Sequence, residues 1–469
     1  MLFCSNVFLF FFLPLTWAGY YLLGRCAEGR AAKAWLVVAS FVFYGWFNWT
    51  LLFIIAASMV GNYAMLWVLE REGGTASRAR KTAMAAGVVF NLALLAWYKY
   101  AEFAKENLNA LAGTDFVLHT IILPLGISFY TFQQIGCLVD IYRERRGKMY
   151  PVVDYMLFVT FFPQLMAGPI VSHSNMMPQF DKPEVTRLDG PNLASGLHLF
   201  ATGLFKKLVI ADFFSVWVET GWHLSAPTFS QSWFTLVVYM LQLYFDFSGY
   251  SDMAIGLGRM FNIKLPLNFN SPLKSASIQE FWQRWHITLG TFLSQYVYIP
   301  LGGNRKGPFR TYVNLAVVFL LCGIWHGASW LFVIYGAINA VAMTAHRFWQ
   351  KRGFRMPRPL GWVCTFALVI PSLVCTKFNG TWEQAARLSK GMISAPDFDF
   401  SKIRAIVYPD AYPFVYVLAA WLLVLYFPNK AVNIDRFRAT TAGMAFTVFL
   451  LVFALFHLTR VGPFIYFNF

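Results

Sequence analysis

Three stretches of an otherwise apolar chain hold side chains able to move a proton. The first is LLCGIWHGASW, residues 320–330, where His326 stands between Trp325 and Gly327, with Gly323 one turn earlier. A neutral imidazole in such a place can accept a proton from a hydroxyl nucleophile. An ionisable group inside an apolar segment is costly to keep and marks a functional candidate. The glycines let other backbone or a ligand come close. The competing reading is a core histidine satisfied by a neighbouring carbonyl. The second is His286, in SIQEFWQRWHITLGTFLSQYVY. Taken as one amphipathic helix, this stretch puts His286 on a face with Trp282, Leu289 and Leu293. There it is equally a second catalytic histidine or an anchor holding the helix at a membrane interface. The third is LQLYFDFSGYSDMAIGLGRMF, residues 241–261, with Asp246 and Asp252. Six residues apart, they do not share a helical face. That spacing argues against an acid/base dyad and for structural roles, such as pairing with Arg or accepting hydrogen bonds from Tyr and Ser.

Other residues carry weaker signals. Asn268 and Asn270, in the polar turn PLNFNSP, either bond a ligand or cap a helix. Lys206 and Lys207, in GLFKKLVIAD, either snorkel to a headgroup or contact an anionic donor such as coenzyme A. Trp325 and Arg284, beside the two histidines, complete the set of candidate substrate- or donor-contacting residues. The six cysteines include no CxxC and fall mostly in apolar runs, as buried small hydrophobes do, so no disulfide framework and no metal site is expected. No GxSxG elbow, Walker A loop or well-placed GxGxxG occurs, which argues against hydrolases, ATPases and dinucleotide enzymes.

The elements that must position these residues are membrane spans. The chain has 469 residues, of which 58% are hydrophobic and 13% charged, with 49 Phe and 17 Trp. Soluble proteins carry roughly 25% charge, and a water-soluble domain has no interior for so much aromatic surface. A bilayer supplies one, at about 20 apolar residues per spanning helix. Thirteen segments qualify, near residues 5–24, 34–47, 50–69, 83–103, 118–139, 153–171, 193–216, 232–258, 311–328, 329–346, 360–377, 411–427 and 442–460, some short enough to be re-entrant. The N-terminus lacks a basic region and a cleavage site, and is expected to be the first span.

The formal charge of +16 would point to nucleic acid on a soluble domain. Here it collects in short runs between apolar segments: Arg25, Arg30 and Lys33; Arg71, Arg78, Arg80 and Lys81; Arg143, Arg145, Arg146 and Lys148; and Arg347, Lys351, Arg352, Arg355 and Arg358. That is the positive-inside pattern of cytoplasmic loops, and nucleic-acid binding is not expected. If the basic loops 305–310 and 347–358 share the cytoplasmic side, residues 311–346 form a hairpin with His326 near its turn. Residues 379–410 are expected to be an external loop with a short helix. No internal repeat is found, which weakens a transporter built from inverted repeats.

Together the segments LPLGISFYTFQ (123–133), DIYR (140–143), FFPQLMAGPI (161–170), FKKLVIAD (205–212), QLYFDFSGYSDMAIGLG (242–258), NFNSP (268–272), EFWQRWHITLGTFL (280–293), YIPLGGNR (298–305), GIWHGASW (323–330) and the ending PFIYFNF (463–469) resemble one family. It is the membrane-bound O-acyltransferases, in the branch of bacterial alginate O-acetyltransferases. The resemblance implies an all-α polytopic membrane protein, a ring of about 11–13 tilted or re-entrant helices around a central funnel or tunnel. It implies one integral-membrane domain over residues 1–469, with its core near 118–350. The family's histidine maps onto His326, and a second functional histidine of the branch onto His286. The expected reaction moves acetyl from cytoplasmic acetyl-CoA to a hydroxyl, with periplasmic or membrane-anchored partner proteins completing O-acetylation of an exopolysaccharide such as alginate or cellulose. No permanently bound cofactor is expected, and the location implied is the bacterial inner membrane. A transporter or flippase of a polysaccharide secretion system, and a structural scaffold for one, are the competing classes.

Overall fold

The computed structural model describes residues 1–25, 29–71, 77–118, 121–144, 149–377, 380–410, 412–458, 462 and 464–465. Cys26, Arg145, Arg146, Lys148 and most of the PFIYFNF ending lie outside them. The described residues are all-α, with no β-strand among them. Among the described residues five helices are long and apolar enough to cross a membrane: Leu51–Arg71, Arg78–Ala112, Gly307–His326, Trp330–Lys351 and Arg358–Cys375. Phe8–Leu23, Pro413–Tyr426 and Thr441–Leu455 are shorter apolar helices. Many of their side chains face outward, among them Phe53, Val60, Val341 and Phe449. Such exposure suits lipid as the surrounding solvent.

The chain divides into two compact units. The first comprises Met1–Phe200, Met253–Pro266 and Arg438–Gly443. Its buried polar groups are mostly neutral and matched to each other. Asn62 and Asn91 exchange amide hydrogen bonds at 3.1 and 2.5 Å, and each also donates to a carbonyl one turn back. Arg80, counted above as a loop charge, is instead buried. Its guanidinium donates to the carbonyls of Leu69, Ile141 and Tyr142, which closes the last turns of two helices. A cation suits those carbonyl-rich ends. Lys33 pairs with the buried carboxylate of Asp154 at 2.8 Å.

Two expected spans are corrected in this unit. The segment 153–171 is not one helix: it runs Val152–Thr160, breaks at Phe161 (ψ 107°) and resumes briefly at Phe162–Leu165. Pro163 supplies no N–H to a continuous ladder. The Phe158 carbonyl, near the break, accepts instead from the side-chain amides of Gln133 and Gln164 at 2.6 and 2.8 Å. The segment expected from residue 118 becomes helical only at Ile127, past Pro124.

The second unit comprises Ala201–Asp252, Leu267–Phe437 and Met444–Phe469. It contains every candidate catalytic or binding residue named above. Gly307–His326 and Trp330–Lys351 form the expected hairpin, turning at Gly327–Ser329. Their backbones nearly touch: a Cβ on Gly323 would meet the Phe332 carbonyl oxygen at 2.3 Å, and one on Gly336 the Phe319 oxygen at 2.6 Å. The hydrophilic stretch after residue 379 carries the helix Trp382–Met392, opened by a capping box between Thr381 and Gln384.

Candidate active site

The stretch around His286 departs from the single amphipathic helix expected of it. It forms Ile278–Arg284, then Ile287–Leu293, then a wide π turn at Ser294–Tyr298. At the break His286 has φ 46° and ψ 53°, a left-handed backbone that costs a residue with a Cβ roughly 1–2 kcal/mol. Such strain persists only where surrounding contacts over-determine it. Here a neighbouring extended segment does so. The Asn270 N–H donates to the Arg284 carbonyl, and the Ile287 N–H to the Asn268 carbonyl, both at 2.9 Å. These two bonds bracket Trp285 and His286 and pull the chain out of helix.

The same segment aims a side chain at the imidazole. Asn268 Oδ1 lies 3.1 Å from His286 Nδ1 and accepts from the Thr288 hydroxyl at 3.0 Å and the Thr288 N–H at 3.4 Å. Its amide nitrogen donates to Ser251 Oγ at 3.3 Å. An atom that accepts from a backbone N–H is the oxygen, so His286 Nδ1 must be the donor. The neutral ring then keeps its basic lone pair on Nε2.

His326 reaches the same tautomer by another route. It ends its helix, and its Nδ1 lies 2.6 Å from the Cys322 carbonyl oxygen, one turn back. A carbonyl only accepts, so Nδ1 carries the proton and Nε2 the lone pair. Both histidines are buried. The Trp325 indole meets each edge-on, with its centroid 5.8 Å from the His286 ring and 5.1 Å from the His326 ring. Phe247 closes over His286 at 4.9 Å, and Tyr335 over His326 at 6.3 Å.

The two rings face different spaces. His286 lines a cavity of about 600 Å³ together with Gln279, Trp282, Gln283, Gln295, Tyr298, Cys322 and Arg347. His326 lines a void of about 20 Å³ with Trp285, Tyr335 and Thr376, among others. That is room for one water-sized group.

The remaining candidates part company here. Asn268 and Trp325 join the histidines. Asn270 and Arg284 meet one another instead: Arg284 donates to the Asn270 carbonyl at 3.1 Å and pairs with Glu280 at 2.9 Å. Lys206 and Lys207 are engaged by carboxylates. Lys206 pairs with Asp252 at 2.5 Å, and Lys207 with both Asp212 and Asp246 at 2.7 Å. The Lys207 side chain is 1% exposed, so it cannot snorkel. The same pairs give Asp246 and Asp252 their structural role, with lysine as the partner where arginine, Tyr or Ser was expected. Both lysines open a π turn, Lys206–Ala211. Arg347 was read only as a loop charge, and Gln279 and Gln295 were not singled out in the sequence, because only the fold brings the three to one cavity. Among the described residues no cluster of three His, Cys, Asp or Glu able to hold a metal is formed.

An apolar all-helical chain enclosing two tautomer-fixed imidazoles defines a class: a polytopic membrane protein with a buried polar site. Sequence comparison narrows it. The pattern of the membrane-bound O-acyltransferase family matches residues 142–381, just over half of the chain. A peptidoglycan O-acetyltransferase of Helicobacter pylori is 42% identical over 423 residues, covering 84% of this chain and 80% of that protein. A probable alginate O-acetylase of Pseudomonas aeruginosa is 40% identical over 410 residues, 86% and 77% of the two chains. A teichoic acid D-alanyltransferase of Bacillus subtilis is 28% identical over 275 residues, 55% and 69%. The chain therefore belongs to the membrane-bound O-acyltransferase family, and it is an O-acyltransferase.

Proposed function

We propose that the protein acetylates hydroxyls of a glycan outside the cytoplasm, from acetyl-CoA, in the bacterial inner membrane and with periplasmic or membrane-anchored partner proteins. The observation that carries the reading is the pair of buried imidazoles that both meet the Trp325 ring, each with Nδ1 tied down and the lone pair on Nε2. Relatives named for O-acetylation of alginate and of peptidoglycan support the acetyl group and the glycan acceptor. An exopolysaccharide such as alginate or cellulose is the acceptor class we favour.

In this mechanism the thioester occupies the 600 Å³ cavity, and Arg347 faces the phosphates of the donor. This assigns to Arg347 the role the sequence offered to Lys206, Lys207 and Arg284. The buried Nε of Arg347 makes no hydrogen bond among the described residues and has a donor to give. The acceptor hydroxyl enters the small void at His326. His326 Nε2 takes its proton as the oxygen attacks the thioester carbonyl. The C–S bond breaks, and the leaving thiolate receives the proton from the imidazolium. His286 orients the thioester or the acceptor from the cavity it lines, and Asn268 holds His286 in register.

The test is the acetyl content of exopolysaccharide and of peptidoglycan in cells carrying His326→Ala, with membrane levels of the protein measured by blot. Loss of acetyl from one polymer at a normal protein level supports the reading and identifies the acceptor. Unchanged acetylation of both refutes the role of His326.

A further inference from the structure

A second cavity, of about 430 Å³, shares no lining residue with the one at His286. Ala345, His346, Trp349, Phe354, Met356 and Leu368 are among its walls. It lies where the helices Trp330–Lys351 and Arg358–Cys375 are joined by the short turn 352–357. Both helices are long and apolar enough to cross a membrane, so this turn belongs at a membrane–water boundary.

The turn is cationic and holds no acid. Lys351, Arg352, Arg355 and Arg358 are all exposed. Arg358 is partly answered by Glu280 at 3.6 Å, and Lys351 lies over the Tyr312 ring at 5.7 Å. Arg352 packs on the Phe348 ring, at 4.9 Å. Arg355 stands between Phe354 and Met356, both of which line the cavity. Inside, the buried Nε2 of His346 makes no hydrogen bond among the described residues. The site thus pairs a mostly hydrocarbon wall and one unmet polar atom with a basic turn that supplies two of its lining residues, Phe354 and Met356.

We propose that this cavity binds an anionic phospholipid, with an acyl chain along Ala345, Phe354, Met356 and Leu368, the phosphate on Arg352 and Arg355, and a glycerol or ester oxygen at His346. Basic pockets between membrane helices recognise such headgroups by charge. A nucleotide would leave its polar groups unmet against these apolar walls. The lipid would brace the end of the hairpin opposite His326.

The experiment is native mass spectrometry of the purified full chain after exchange into mixed micelles of phosphatidylglycerol and phosphatidylcholine. One phosphatidylglycerol is expected to stay on each chain at a collision energy that strips phosphatidylcholine. Retention should fall at least tenfold in the double variant R352Q/R355Q, whose substituted residues are exposed and leave the melting temperature unchanged. Ala345→Phe, which fills the cavity, should lose it as well. Equal retention of the two lipids, full retention in R352Q/R355Q, or displacement of the lipid by added coenzyme A would overturn the proposal, the last by assigning the cavity to the acyl donor.

Discussion

The hairpin end that carries His326 and the kinked arm that carries His286 arrive at the same chemical state by opposite means. His326 closes a regular helix, and its tautomer is set by a backbone carbonyl that no substitution removes. His286 sits in a strained left-handed turn, and its tautomer depends on one side chain, Asn268, itself held by Thr288 and Ser251. The first imidazole is robust because its second partner is main chain. The second is tunable and fragile because its partner is a network. A site built this way can keep one imidazole fixed while the other is adjusted through its side-chain partners.

The largest effect expected is that of His326→Ala. If this ring is the general base, acetyl transfer by the purified protein falls ~10²–10⁴-fold with the protein still folded. A fall smaller than tenfold would make the hairpin end structural and reverse the comparison. His286→Asn comes next. Asparagine tolerates left-handed backbone better than most residues, so the kink survives while the imidazole is lost. Activity should drop roughly 10²-fold without loss of melting temperature. A variant of full activity would show that the kink exists to shape the cavity and not to present a base.

How much of this was legible beforehand differs between the same two regions. The hairpin was readable because its signals are local: apolar runs of spanning length, a glycine at residue 323, and basic runs on both flanks. The arm was not. Phe281, Trp282, Trp285, Leu289, Phe292 and Leu293 satisfy helical spacing without interruption, and neither Pro nor Gly stands at the break. The kink is imposed by hydrogen bonds from residues 268 and 270, a tertiary override that periodicity cannot report. The lysine–aspartate pairs escaped for the same reason. Lys207 and Asp246 are 39 positions apart, and their meeting depends on how distant helices pack, which local spacing does not report. The break at Phe161 was within reach, since Pro163 interrupts that apolar run.

The last two predictions test the fragility of one partner against the robustness of the other. Asn268→Ala removes the acceptor of His286 Nδ1 and lets the proton redistribute between the ring nitrogens. Activity should fall roughly 10-fold or more, as for loss of other groups that orient an imidazole. Its pH–rate profile should shift, and Asn268→Asp should recover part of the loss by restoring an acceptor. If Asn268 acts on the chemistry through that ring, a double variant with His286→Asn should be no less active than His286→Asn alone. Cys322→Ala is the counterpart at the hairpin and has the smallest effect. The Cys322 thiol lies 3.8 Å from His326 Nδ1, but the carbonyl at 2.6 Å is the acceptor, and the substitution keeps it. Stability should decline by about 1 kcal/mol for the lost buried sulfur. Activity should stay within about threefold, with an unchanged pH profile, since the group that holds the proton on Nδ1 is untouched. A tenfold loss with a shifted profile would mean that the thiol holds His326, and that both imidazoles depend on side chains after all.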